Sequence, residues 1–194
     1  TPLGDIDEDE LIFTDSIGGD NQLDLPPAIP GLKRQLLLAR LILSRRDLSV
    51  TPGQAVKLAQ ELARLLDRVD TERLSFADLD GLVKAGNLSE YWQKTLQFLT
   101  IVTDNWPPIL AGEGAIYPAR RRDLLLTQEA AAWAKKPPPG PVIAAGSTGS
   151  IPATADLLKV IAALPQGFLI LPGLDRNAPD EVWRNLAPSH PQYG

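Results

Sequence analysis

The sequence predicts a mainly α-helical protein: a helical bundle over residues 29–136 joined to a small parallel α/β unit over residues 137–194. Three observations carry this reading. Apolar residues recur at helical spacing from Ile29 to Lys136, with cap and stop signals between the segments. Two short apolar runs, Val142–Ala145 and residues 168–171, flank a helix-patterned segment at 153–164, which is the strand–loop–helix–strand order of parallel sheets. The run Pro137-Pro138-Pro139-Gly140-Pro141 punctuates the chain between the two regions.

Residues 1–28 form an acidic arm, with eight carboxylates and no base before Leu25, and are expected to run over the surface. The first helix is expected over 29–46, with Leu32, Leu36, Ala39 and Leu43 as its inward stripe, widened by Leu37 and Leu41. Arg45 and Arg46 fall in its last turn, where cations suit the dipole. The second helix starts at Thr51-Pro52-Gly53-Gln54, an N-cap, a proline at the first helical position and a capping-box glutamine. Ala55, Leu58, Ala59, Leu62, Leu65, Leu66 and Val69 then supply one apolar face.

Ser75-Phe76-Ala77-Asp78 suggests a short third helix ending near Lys84. Ser89 caps a longer one, carrying Trp92, Leu96, Leu99 and Trp106, which Pro107-Pro108 is expected to stop. Tyr117-Pro118 opens the last helix of the bundle, with Leu124, Leu125 and Trp133 as packing residues. The tryptophans Trp92, Trp106, Trp133 and Trp183 sit among leucines at helical spacing and read as core rather than as base-stacking platforms. Two strands cannot bury both faces alone, so the α/β unit needs the helices or further chain to cover it.

Composition narrows the chemistry. With no cysteine, a disulfide scaffold, a thiolate metal site and a cysteine nucleophile are excluded from these 194 residues. The single histidine, His190, has no visible partner, and there is no methionine, which suggests an interior piece of a longer protein. The net charge of −5 hides an asymmetry: once the acidic arm is set aside the balance is +3, and residues 32–136 alone carry +4. That excess is compatible with a polyanion as neighbour. There is no signal peptide and no apolar span of membrane length, so a cytoplasmic setting without membrane contact is expected.

Candidate chemistry is sparse. Gly146-Ser147-Thr148-Gly149-Ser150 follows a strand and opens toward a helix, where backbone N–H groups attract anions. No lysine follows Gly149, no G-x-G-x-x-G fingerprint is present and Pro152 removes a donor, so a tight turn is preferred over a phosphate cradle. Asp175 ends the second strand and could hold a metal or ribose, but it lacks an acidic partner at the end of the first; a turn is again preferred. Arg120-Arg121-Arg122 is the densest basic cluster, near a helix start where the dipole disfavours it. With Lys33 and Arg40 it makes the candidate DNA-contacting set, beside the simpler reading of a solvated or salt-bridged face. No Ser/His/Asp set or carboxylate pair is placed for catalysis, so no catalytic residue, metal or cofactor is expected.

Laid out this way, the chain resembles the AddB subunits of bacterial AddAB helicase–nucleases, of the alphaproteobacterial type. The resemblance runs through Pro2-Leu3-Gly4-Asp5-Ile6-Asp7-Glu8-Asp9-Glu10, Leu36-Leu37-Leu38-Ala39-Arg40-Leu41 and Trp92-Gln93-Lys94-Thr95-Leu96-Gln97-Phe98-Leu99. It is firmest from Val142 through Gly146-Ser147-Thr148-Gly149-Ser150 to Ala155, and continues at Leu171-Pro172-Gly173-Leu174-Asp175 and His190-Pro191-Gln192-Tyr193-Gly194. It implies a fragment of a helicase-like region in a subunit that repairs DNA double-strand breaks with an AddA-like partner, its nuclease residues lying outside this chain. In active helicases of that superfamily an Asp-Glu pair follows the first of these strands; here Gly146 and Ser147 stand near that place. The next strand would end in a Gly-Asp-x-x-Gln type motif, and here no glutamine follows Asp175. The resemblance therefore implies an ATPase fold without the carboxylates phosphoryl transfer depends on. The alternative from the residues alone is a nucleotide- or sugar-phosphate-binding enzyme fragment using the Gly146–Ser150 loop.

Overall fold

The computed structural model describes residues 25–45, 48–76, 99, 101–173 and 177–185. Among them are six α-helices and one two-stranded parallel sheet, the helical bundle and small parallel α/β unit that the pattern predicts. No described helix is long and apolar enough to cross a membrane. All but the first two residues of the expected short helix at 75–84, most of the helix from Ser89, and Trp92, Asp175 and His190 lie outside the described residues. The chain divides into two compact units between Asp123 and Leu124.

In the N-terminal unit, α1 (Gly31–Ser44) and α2 (Pro52–Thr71) pack against each other. Helix α2 begins as its sequence dictates. The Thr51 N–H donates to Gln54 Oε1 at 2.8 Å, and the Gln54 N–H donates back to Thr51 Oγ1 at 3.4 Å. The reciprocal pair satisfies two donors that a helix start otherwise leaves open, and Pro52 has no N–H to lose. Ala55, Ala59, Leu62 and Leu66 are buried in one cluster with Leu38, Ala39 and Ile42 of α1.

The buried faces differ from the expected ones. Of the expected stripe Ala39 is buried, and Leu37 and Leu41 pack against the cluster, but Leu32 is 70% exposed, Leu36 56% and Leu43 42%, and Arg34, Leu38 and Ile42 are buried instead. Helix α1 is apolar nearly all round, so periodicity could not select its inner face, and a charged residue in the true stripe concealed it. On α2 the expected Leu58 and Leu65 are exposed while the narrower stripe of 55, 59, 62 and 66 is buried.

A second correction concerns Pro107-Pro108. They do not stop a helix; they open one. A π-helical turn, Ile101–Asn105, leads directly into α3 (Trp106–Gly112). Both prolines sit in its first turn, where a backbone N–H would have no intrahelical acceptor anyway. The junction buries Trp106 completely. The strap after α3 returns beside the entry to α1: the Ile29 N–H donates to the Ile116 carbonyl at 2.9 Å, and the Ile116 N–H to the Pro27 carbonyl at 3.0 Å. Helix α4 (Pro118–Lys135) follows at once.

In the C-terminal unit, β1 (Val142–Ala145) and β2 (Gly167–Ile170) pair in parallel, Val142 opposite Gly167 through Ala145 opposite Ile170. The crossover is α5 (Pro152–Ala163). Strand β2 starts one residue before the expected 168–171. Ala144 is buried, and Val142 and Leu169 pack with it against Leu157, Leu158 and Ile161 of α5 and Leu126, Ala130 and Trp133 of α4. That packing places the second half of α4 with the sheet, so the compact units part inside the helix and not at the proline run after Lys136. The other face of the sheet presents the cross-strand pair Ile143 (62% exposed) and Phe168 (56%), with Ile170 beyond. A last short helix, α6 (Asp180–Asn185), buries none of its residues, and Trp183 is exposed rather than core.

Candidate functional site

The strand-end loop is the first place to look, because ligands of parallel α/β folds sit at the carboxyl ends of the strands. Gly146 and Gly149 hold positive φ angles of 78° and 69°, a backbone that a side chain would strain. The Gly146 N–H extends the ladder by donating to the Ile170 carbonyl at 2.9 Å. The hydroxyls turn toward the loop itself: Thr148 Oγ1 donates to Ser150 Oγ at 3.2 Å, and Ser147 Oγ accepts from the Gly149 N–H at 3.4 Å. A Cβ on Gly149 would lie 3.2 Å from Leu158 Cδ1, so the loop is closed down onto α5. Ile151 caps α5 without a side-chain hydrogen bond, and Pro152 occupies its first turn.

The basic candidates do not converge. Arg120 lies 3.5 Å from Asp123, which also accepts from Arg73 Nε at 2.6 Å. Arg121 Nε donates to the Pro26 carbonyl at 3.3 Å, and Arg122, half-buried, is likewise not free. Lys33 pairs with Glu113. Arg40 is exposed and makes no ion pair among the described residues. Arg120 and Arg121 at the start of α4 are thus held by an acid and a carbonyl of the same unit, which offsets the unfavourable dipole there.

Sequence reasoning missed the densest polar construction in the chain. Arg34 is only 4% exposed. Its Nη1 donates to Asp67 Oδ1 at 2.8 Å and its Nη2 to the Ala63 carbonyl at 2.7 Å, clamping α1 to α2. The guanidinium carbon lies 5.2 Å from the centre of the Tyr117 ring, within cation–π range. Asp70, one turn past Asp67, faces this group. Burial raises its pKa above the ordinary value; Arg120 and Arg34 oppose the shift while Asp67 and Asp123 add to it. Burial, reinforced by the Asp70 charge, pushes the Tyr117 phenol well above its usual range. Asp70 Oδ2 is buried with no hydrogen-bond partner. The only signal in the sequence was the spacing Arg34, Leu38, Ile42, one helical turn apart each time; nothing in it tied Arg34 to residues 33 and 83 positions away.

Asp70 and Tyr117 also line a cleft of about 350 Å³, walled by Leu66, Val69, Phe76 and Pro107. Among the described residues no group of three or more metal-ligating side chains gathers. No family model matches the chain, and no curated protein or solved structure matches it.

Proposed function

We propose that the chain is a non-catalytic, helicase-like segment of a DNA double-strand-break repair helicase–nuclease subunit of the AddB kind. In this reading it guides DNA and contacts an AddA-like partner subunit in the cytoplasm. The observation that carries it is the end of β1. The strand–loop–helix–strand unit has the topology of a nucleotide fold, yet β1 runs into Gly146 and Ser147, with neither carboxylate nor lysine, and the loop hydroxyls bond within the loop. Metal-assisted phosphoryl transfer needs those charges. The family likeness of the residues supplies the rest, and Arg120, Arg121, Arg122, Lys33 and Arg40 are the proposed DNA-facing set, of which Arg40 makes no ion pair among the described residues.

The test uses the chain with a blunt-ended duplex at rising salt. Binding should weaken steeply between about 50 and about 200 mM, since phosphate contacts release counterions. Arg40→Ala should reduce the salt slope by about one. Absence of both DNA binding at low salt and association with an AddA-like subunit would overturn the proposal.

The competing reading, a nucleotide- or sugar-phosphate-binding fragment, draws on the α5 start, which has no side-chain cap. ATP, NAD and sugar phosphates separate the two, because a ligand of the native state raises the melting temperature. A shift that Ser147→Ala abolishes, or measurable ATP hydrolysis, would favour the competitor.

A further inference from the structure

The sheet of the C-terminal unit is covered on one side only. Val142, Ala144 and Leu169 pack against α4 and α5, while Ile143, Phe168 and Ile170 are exposed on the opposite face. Ile143 and Phe168 are cross-strand partners, and Ile170 stands two residues further along β2, opposite the small Ala145. Parallel sheets bury both faces as a rule, so this apolar surface calls for a cover. The cations of the unit are also unevenly matched. Lys159 and Arg184 pair with Asp156 and Asp180, whereas Lys135 and Lys136, just ahead of β1, are exposed and make no ion pair among the described residues. The acidic arm carries both complements. Leu11-Ile12-Phe13 is the one run of three consecutive large apolar side chains outside the described residues, and Asp7-Glu8-Asp9-Glu10 precedes it directly.

We propose that the exposed sheet face is the docking surface of this arm: Leu11-Ile12-Phe13 packs over Ile143, Phe168 and Ile170, with the Asp7–Glu10 carboxylates toward Lys135 and Lys136. Burial of the apolar run supplies the attraction in proportion to its area. The exposed charges add little strength and set the direction in which the segment lies. The chain is long enough. Arg121 Nε donates to the Pro26 carbonyl, so the arm departs beside the first turns of α4. Helix α4 has 18 residues, about 27 Å in length, and its second half packs on the sheet. Residues 14–25 extend to about 40 Å, which exceeds that helix.

Paramagnetic broadening in the full chain tests the contact. There is no native cysteine, so Thr14→Cys carries a single nitroxide just beyond the apolar run. The amide signals of Ile143, Phe168 and Ile170 should broaden relative to the reduced label. An equal mixture of labelled, unenriched chains and unlabelled, isotope-enriched chains should show no such broadening, because the contact is made within one chain. Ile143→Thr with Phe168→Thr keeps strand-forming residues at two exposed positions and should abolish the effect. Leu11→Ser with Phe13→Ser leaves the sheet itself unaltered and should abolish it equally. Lys135→Glu with Lys136→Glu should lower the docked fraction about twofold or more. Signals at the sheet that do not broaden, broadening in the mixture (a second copy seated on the face), or broadening that survives any of the three double substitutions undiminished would each overturn the proposal.

Discussion

Gly167 and Ile161 stand so close that a Cβ on Gly167 would lie 1.7 Å from the Ile161 carbonyl oxygen. The end of α5 rests directly on the start of β2, and the connection has only Leu164, Pro165 and Gln166 between them. The Gly167 N–H donates to the Leu164 carbonyl at 3.2 Å, fixing the turn that brings β2 beside β1. Gly167→Ala must therefore shift backbone rather than a side chain. We expect a loss of about 3 kcal/mol in the C-terminal unit, at the upper end for overpacking. Denaturant unfolding measures it; a loss below about 1 kcal/mol would show that the turn relaxes freely.

Arg34 joins α1 to α2 through one side-chain and one backbone acceptor. Asp67 keeps a side-chain exposure of 41%, so solvent can rehydrate it when its partner is removed. Arg34→Ala loses the pair, the Ala63 bond and the buried stem, and should cost about 3 kcal/mol. Asp67→Asn leaves the Ala63 bond in place and should cost only about 1 kcal/mol. Arg34→Met, which keeps the stem, should fall between them. A double-mutant cycle on the two residues gives the coupling, and equal losses from Arg34→Ala and Asp67→Asn would contradict this apportioning.

Elements defined by local chemistry were legible in the sequence, and those settled by tertiary choice were not. The capping box at Thr51, the proline start of α4 and the strand–loop–helix–strand order all rest on residues adjacent in the chain, and all stand in the structure. The inner face of α1 is ambiguous in the sequence because leucine and isoleucine surround that helix, leaving the partner helix to decide which side is buried. Pro107-Pro108 marks a boundary in the sequence without saying on which side the helix lies, and in the structure the helix follows it. The Arg34–Asp67–Asp70–Tyr117 grouping was invisible, since long-range charge pairing leaves no periodic trace. At the other candidate site, the missing lysine and the glycines of the loop pointed to a turn from the sequence alone, and the loop's hydroxyls do bond within it.

Thr51 offers the cleanest local test of the sequence-to-structure link. Its hydroxyl caps α2 from an exposed position, so replacing it disturbs no packing. Thr51→Ala should lower stability by about 1 kcal/mol and Thr51→Ser should be close to neutral. Helicity at residues 52–55, followed by amide exchange, should fall in the alanine variant alone. Unchanged protection of the Gln54 amide would mean the cap contributes nothing.

Asp70 should give this unit a pH dependence opposite to that of an ordinary paired carboxylate. Its folded pKa lies above the ordinary 3.8, chiefly because burial disfavours the charged form. Between 3.8 and the raised value the folded state therefore holds more protons than the unfolded one, so the residue's contribution falls as pH rises through that window. Below it the carboxyl is protonated in both states and its penalty vanishes. Asp70→Asn removes the titration while keeping the shape. The melting temperature of the variant relative to wild type should be highest near about pH 7 and should decline on acidification toward about pH 3.5, as the wild type regains its protonated Asp70. Comparing the two proteins at each pH cancels the titration of the remaining carboxylates to first order. A relative melting temperature that stays level, or that climbs as pH falls, would show that Asp70 is solvated in the folded protein and that Arg120 and Arg34 outweigh its burial.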